Sequence, residues 1–268
     1  MKLAITLRCE DIFLNDGISN EDCIPLISKA GFDCVFMSFQ NEHLNDNYHK
    51  YLKLIKSNGL DVNFVHLGYR VGAGINSMWD EGESGDLLLQ NYINDISTVA
   101  EDGMKIVCMH LTKSSKCPPM SDVGLNRWKK LVNHAEKVGV IIALENTKWP
   151  GYIEFMFDNI DSPNLGICYD SGHCHCYFKD EFDFNRFKDK IVCLHLHDNQ
   201  GEMDEHLIPG DGSIDWDVLV SNLKCAGYNG YITSEAVCSS VYTSDMSPED
   251  FYKEVYKRLK NLKKNLDL

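Results

Sequence analysis

The sequence is short of basic charge: 26 Lys and Arg stand against 40 Asp and Glu, a formal net charge of −14 in 268 residues. Surfaces that bind nucleic acid broadly neutralise phosphates with Lys and Arg, so this balance argues against one and leaves room only for a local basic groove. Paired CxxC cysteines are also absent. Eleven cysteines without that spacing suggest neither a disulfide framework nor a zinc ribbon, and read as mostly reduced, buried thiols. Apolar runs such as Val140-Ile141-Ile142-Ala143-Leu144 are far too short to cross a membrane. The opening MKLAITLRCED breaks at Arg8 before a signal-peptide core forms, so a cytoplasmic protein is expected. No Pro/Ser-rich linker or low-complexity tract divides the chain, and residues 1–268 read as one domain. Neither a GxGxxG after the first strand nor a P-loop is present, which removes support for a nucleotide-binding, doubly wound sheet.

What the sequence does have is an alternation of short, apolar, β-rich runs with longer amphipathic ones. Strands are predicted at about 2–8, 33–38, 61–66, 105–110, 140–145, 164–170, 190–197 and 230–235. Helices are predicted at about 20–30, 45–58, 86–102, 121–138, 151–159, 180–189, 215–226 and 247–266. Gly31, Gly59, Gly103, Gly139 and Gly227 follow the ends of five of these helices, where glycine reaches the left-handed conformation at little cost. Eight βα units over this length predict a (β/α)8 TIM barrel.

In such a barrel the C-terminal ends of the strands converge on one mouth, where catalytic groups gather. Six successive predicted strands end on His66, His110, Glu145, Asp170, His195 and Glu235. With only 40 acidic residues and 10 histidines in the chain, that series is a poor match to chance. Each residue alone has a bland reading, as a hydrogen-bonded interior histidine, a helix-terminal carboxylate or a rim charge. Together, several carboxylates facing one mouth repel and are expensive to bury, a cost that a divalent cation resolves. The His/Asp/Glu mixture suits Zn or Mn better than Ca, with Co or Mg also allowed.

Other stretches thicken the cluster. Asp170-Ser171-Gly172-His173 sets His173 over the same mouth. Asp204 and His206 alternate on the extended segment after His195-Leu196-His197-Asp198-Asn199, so both can turn toward one ion. Asp215 reads as a helix N-cap. Cys174 and Cys176 flank His175 and read as packing cysteines, because residues two apart on a helix do not face each other. Trp149, Tyr69 and Trp79 belong to overhanging loops and serve either as substrate platforms or as loop anchors. Lys113 and Lys148 are candidate phosphate contacts, with solvated loop lysines as the plainer reading.

The ordered motifs Leu144-Glu145-Asn146, Asp170-Ser171-Gly172-His173, His195-Leu196-His197-Asp198 and the run from Pro209 to Trp216 resemble those of the xylose-isomerase-like TIM barrels, a superfamily of sugar and sugar-phosphate isomerases and epimerases that also holds endonuclease IV. The resemblance covers nearly the whole chain. Its keto-sugar 3-epimerase branch implies a metal held by Glu145, Asp170, His195 and Glu235, with the two glutamates as acid and base and His173 at the sugar; His66, His110, His197 and Trp149 then become candidate substrate contacts. That branch carries a substrate-binding Arg six residues after the metal histidine, where this chain has Gly201. The endonuclease IV branch implies a three-zinc site of nine ligands, all matched here: His66, His110, Glu145, Asp170, His173, His195, Asp204, His206 and Glu235. Against that map, the chain is acidic and its 198–214 loop contains no Lys or Arg.

The function expected is a divalent-metal-dependent isomerase or epimerase of a small sugar, polyol or sugar phosphate, by proton transfer next to a polarised carbonyl, with homo-oligomers allowed. The competing class is a multizinc phosphodiester hydrolase. A lyase or dehydratase using the same enolate chemistry would need no change of ligands, and a non-enzymatic barrel fits least.

Overall fold

The computed structural model describes residues 1–8, 18–39, 44, 46–68, 74–113, 117–238 and 246–267. Its eight strands are β1 (Leu3–Arg8), β2 (Cys34–Ser38), β3 (Asp61–His66), β4 (Ile106–Met109), β5 (Ile141–Glu145), β6 (Leu165–Asp170), β7 (Ile191–His195) and β8 (Ile232–Ser234). All pair in parallel in the order β7-β6-β5-β4-β3-β2-β1-β8. A further parallel bridge between Leu196 and Ser234 brings the two ends of this order together and closes the barrel. The architecture is the predicted (β/α)8 barrel.

Eight α-helices lie among the described residues: α1 (Asn20–Ala30), α2 (Asp46–Ser57), α3 (Glu83–Glu101), α4 (Asp122–Val138), α5 (Tyr152–Asn159), α6 (Ser171–Tyr177), α7 (Trp216–Cys225) and α8 (Pro248–Asp267). None is long and apolar enough to cross a membrane. The starts are written in the sequence. Ser19, Ser121 and Asp215 cap α1, α4 and α7, each side chain accepting from a backbone N–H in the first turn. The predicted glycine stops all take positive φ, from 71° at Gly139 to 104° at Gly31.

One helix is displaced from its predicted place. The predicted helix at 180–189 is a series of turns, and α6 forms instead directly at the end of β6. Asp170 caps it by accepting from the His173 N–H. Lys179, Asp180 and Asp189 then take φ of 52°, 65° and 62°, left-handed values that no helix can carry through. Phe182 packs on both Phe184 and Phe187, and Phe182 and Phe184 pack on Tyr169, so their apolar spacing reflects a ring cluster and not a helical face.

The core has two parts. The larger lies between the sheet and its helices, with Trp128, Tyr92, Phe251 and Ile24 fully buried. The smaller fills the barrel: Phe36, Phe64, Cys108, Ala143, Cys168 and Cys193. Side chains alternate along a strand, so these interior residues sit two positions before the residues that reach the mouth.

Candidate metal centre and active site

Glu145, the last residue of β5, is the hub of the mouth. Its Oε2 lies 3.1 Å from Nε2 of both His66 and His110 and 3.4 Å from His195 Nδ1, while its Oε1 lies 2.9 Å from His173 Nδ1. His195 Nδ1 in turn lies 3.1 Å from Glu235 Oε2 and 3.7 Å from Asp170 Oδ2. Asp170 meets His197 Nε2 at 3.0 Å. On the other side, Asp204 bridges His173 Nε2 at 3.2 Å and His206 Nδ1 at 3.3 Å. All nine residues of the predicted ligand set are therefore in one connected cluster. Two donor groups share Glu145: His66–His110–Glu145 and Glu145–Asp170–His195–Glu235.

These donors fit a divalent cation. Among the described residues, several buried atoms do not meet hydrogen-bond geometry with any partner: both ring nitrogens of the fully buried His195, His66 Nδ1, His173 Nδ1, His197 Nδ1 and Asp204 Oδ1. His195 Nδ1, His173 Nδ1 and Asp204 Oδ1 nevertheless lie close to oppositely charged groups. Buried polar atoms are normally paired, so this concentration needs an explanation. Ligand atoms about 2.0–2.2 Å from one tetrahedral ion lie roughly 3.3–3.6 Å apart, close to the spacing of the carboxylate oxygens around His195 Nδ1. Charge points the same way. Burial alone would raise the Glu145 carboxyl, but His110 and His195 outweigh it and hold the group well below the usual carboxylate range. Burial opposes charge on His197, yet Asp170 and Asp204 carry it up to about 9.

Second neighbours fix these groups. Asn146 donates from Nδ2 to the Asp170 carbonyl and accepts the Asp170 N–H at Oδ1, tying β5 to β6 at the mouth. Ser171 Oγ donates to the His197 carbonyl and accepts the His197 N–H. The buried Asp198 carboxylate accepts from the backbone N–H groups of Asn199, Gly210 and Ile214, and so folds the 198–214 loop that delivers Asp204 and His206. His175 joins this loop to α6, with Nδ1 on Asp180 at 2.9 Å and Nε2 on Ser213 Oγ at 2.8 Å.

Above the cluster opens a cavity of about 410 Å³. His110, Glu145, His173, Asp204, His206 and Glu235 form its floor, and Trp149, Lys113 and Lys148 belong to its walls. His66, Asp170, His195 and His197 are fully buried beneath. Trp79 is no part of the cavity wall: it is buried, donates from Nε1 to the Leu111 carbonyl and packs on Tyr152, which makes it a loop anchor. Tyr69 lies outside the described residues. Cys174 and Cys176 are buried, Cys174 in the main core. The sequence reading missed four wall residues, Arg8, Thr112, Thr147 and Tyr177. Arg8 carried a signal, since it closes β1 as the ligands close their strands; the threonines follow strand ends without any distinguishing pattern.

The family model for xylose isomerase-like TIM barrels matches residues 24–262. Probable endonuclease 4 of Mesoplasma florum is 27% identical over 241 residues, 78% of this chain and 76% of the relative. Fructoselysine 3-epimerase of Escherichia coli O157:H7 is 39% identical over 54 residues, 20% of each chain. A D-tagatose 3-epimerase-like protein of solved structure superposes with a TM-score of 0.72 at 21% identity, covering 100% of this chain and 98% of that one. With uncharacterized proteins of Sinorhizobium fredii and Methanocaldococcus jannaschii the matches span 30% to 43% of the relatives' length.

Proposed function

This chain belongs to the xylose isomerase-like TIM barrel family, and we propose that it is a divalent-metal-dependent isomerase or epimerase of a small sugar, polyol or sugar phosphate. The observation that carries this reading is a cavity of small-molecule size, about 410 Å³, with the carboxylates of both Glu145 and Glu235 in its floor. Glu145, Asp170, His195 and Glu235 would hold the ion, with Zn or Mn suited to the donor set. When bound, such a cation supplies Lewis-acid polarisation of a substrate carbonyl.

The chain's own residues supply the rest. Glu145 and Glu235 reach the floor from β5 and from the end of β8, and both approach His195 Nδ1, at 3.4 and 3.1 Å. One glutamate, as its carboxylate, takes the proton from the carbon next to the carbonyl, and the other, as its carboxylic acid, returns a proton, to the opposite face for an epimerase. His173 and His110 donate to substrate oxygens and orient them, and Trp149 offers an apolar wall. The closed barrel beneath excludes water from the buried half of the cluster.

The phosphodiester-hydrolase reading has its own observation: His197, His206 and Glu235 form a third histidine–carboxylate donor group beside the two that share Glu145, and Asp204 bridges His173 and His206 next to it. Elemental analysis of protein purified without chelator separates the two. About one ion per chain, with solvent deuterium entering the carbon next to the carbonyl of a ketose or ketose phosphate, supports the isomerase. Two or three zincs with cleavage of a phosphodiester replaces it, and no ion after reconstitution rejects both.

A further inference from the structure

Directly beneath the mouth the barrel holds a layer of thiols that the reaction proposed above does not use. Cys108, Cys168 and Cys193 stand two residues before the strand-end positions 110, 170 and 195, so their side chains share the interior face with the ligands above them. All three are fully buried, beside Phe36, Phe64 and Ala143. Cys168 interacts with both Cys108 and Cys193. Cys108 Sγ lies 3.5 Å from Glu145 Oε2, so the thiol layer touches the carboxylate that lines the open cavity.

Packing alone accounts for three small apolar side chains. It does not account for His195, which borders both layers. Its ring stacks on Phe36 at a centroid distance of 4.7 Å. One nitrogen, Nδ1, faces the carboxylates of Glu145 and Glu235, and among the described residues Nε2 has no hydrogen-bond partner although it is buried. A His195 nitrogen and the sulfurs of Cys108 and Cys168 all lie within 4.8 Å of one another. Two sulfurs and an imidazole nitrogen around one point are a donor set for a soft cation, not for the oxygen-preferring ions that suit the carboxylates above.

We infer that Cys108, Cys168 and His195 form a second cation site in the barrel interior, selective for thiophilic d¹⁰ ions such as Cd(II), Hg(II) or Cu(I). Binding converts the two thiols to thiolates, and their two protons leave to solvent through the mouth. The entry path runs past Glu145, where Cys108 approaches the cavity floor. Because His195 serves both layers, a soft ion in the lower one competes with an ion held by Glu145, Asp170, His195 and Glu235.

The test is a Cd(II) titration followed by the ultraviolet thiolate-to-cadmium charge-transfer band, in protein with Cys9, Cys117 and Cys225 changed to serine. Cys117 and Cys225 are exposed and would otherwise bind cadmium themselves. The site predicts a band that saturates at one equivalent and is lost in both Cys108→Ala and Cys168→Ala. The same band in either alanine variant, or no band in the parent, overturns it. Cadmium NMR of the parent gives a second reading that needs no further variant: a resonance shifted to the thiolate range supports the site, and resonances only in the oxygen and nitrogen range reject it. Both signals report sulfur donors, so they stand or fall separately from sugar turnover.

Discussion

Asp198 Oδ2 accepts a hydrogen bond from the Trp216 indole Nε1 at 2.8 Å, joining the strand-end region after β7 to the start of α7. With three backbone N–H groups on the same carboxylate, this contact closes the 198–214 loop around a fully buried charge. The loop's two cavity residues, Asp204 and His206, owe their position to it.

Asp198→Asn should therefore damage both stability and the site. It replaces an oxygen that accepts N–H donors with an amide that itself donates, leaving a buried donor unmet. Urea unfolding should show a loss of about 2–3 kcal/mol. The bound-ion count should fall with it, as Asp204 and His206 drift; an unchanged count would show that the loop holds its shape without the charge.

Gly172 predicts a steric effect. A Cβ there would land on the His197 imidazole, which meets Asp170 at 3.0 Å. Gly172→Ala should cost about 1–3 kcal/mol through displaced packing. It should also weaken metal retention, read by elemental analysis after dialysis; full stability would mean that the ring has room to move.

Glu145→Gln should abolish turnover, because it removes the carboxylate that contacts His66, His110, His173 and His195. Ion content should drop in the same preparation. Full activity with the ion retained would remove Glu145 from the site.

His206→Ala distinguishes the two chemistries. The ring sits 3.3 Å from Asp204 and 3.9 Å from Glu235. In an isomerase with one ion it should cost activity modestly, whereas a hydrolase that needs the third donor group should lose nearly all of it. Steady-state kinetics with the ion count measured alongside decides between them.

Chelation should destabilise the fold. Removing a cation leaves Glu145, Asp170 and Glu235 buried together without their counter-charge. An ion held at about a hundred times its Kd contributes about 2.7 kcal/mol of stability. EDTA should therefore lower the Tm, and Zn or Mn should restore it; a Tm indifferent to chelator argues against a resident ion.

Much of the site was legible because a barrel turns sequence position into spatial position. A strand that ends on Glu145 or Asp170 delivers that residue to the mouth wherever the strand lies in the chain. The glycine stops and the Asp215 cap were legible for the same reason, as each depends on a few neighbouring residues. The 180–189 prediction failed where apolar spacing served a ring cluster of Phe182, Phe184 and Phe187, a tertiary contact that imitates a helical face.

The sequence by itself determined the order of βα units, the residue types at the strand ends and the acidic surface, since periodicity, capping and charge are local properties. Only the tertiary structure decided that Glu145 serves two donor groups, that His66 and His197 lie beneath the cavity while His110 and Trp149 line it, and that three cysteines far apart in the chain share a layer with His195. Those relations depend on barrel closure and strand register, which bring together side chains from β3 through β8 whose separation in sequence carries no record of their distance in space.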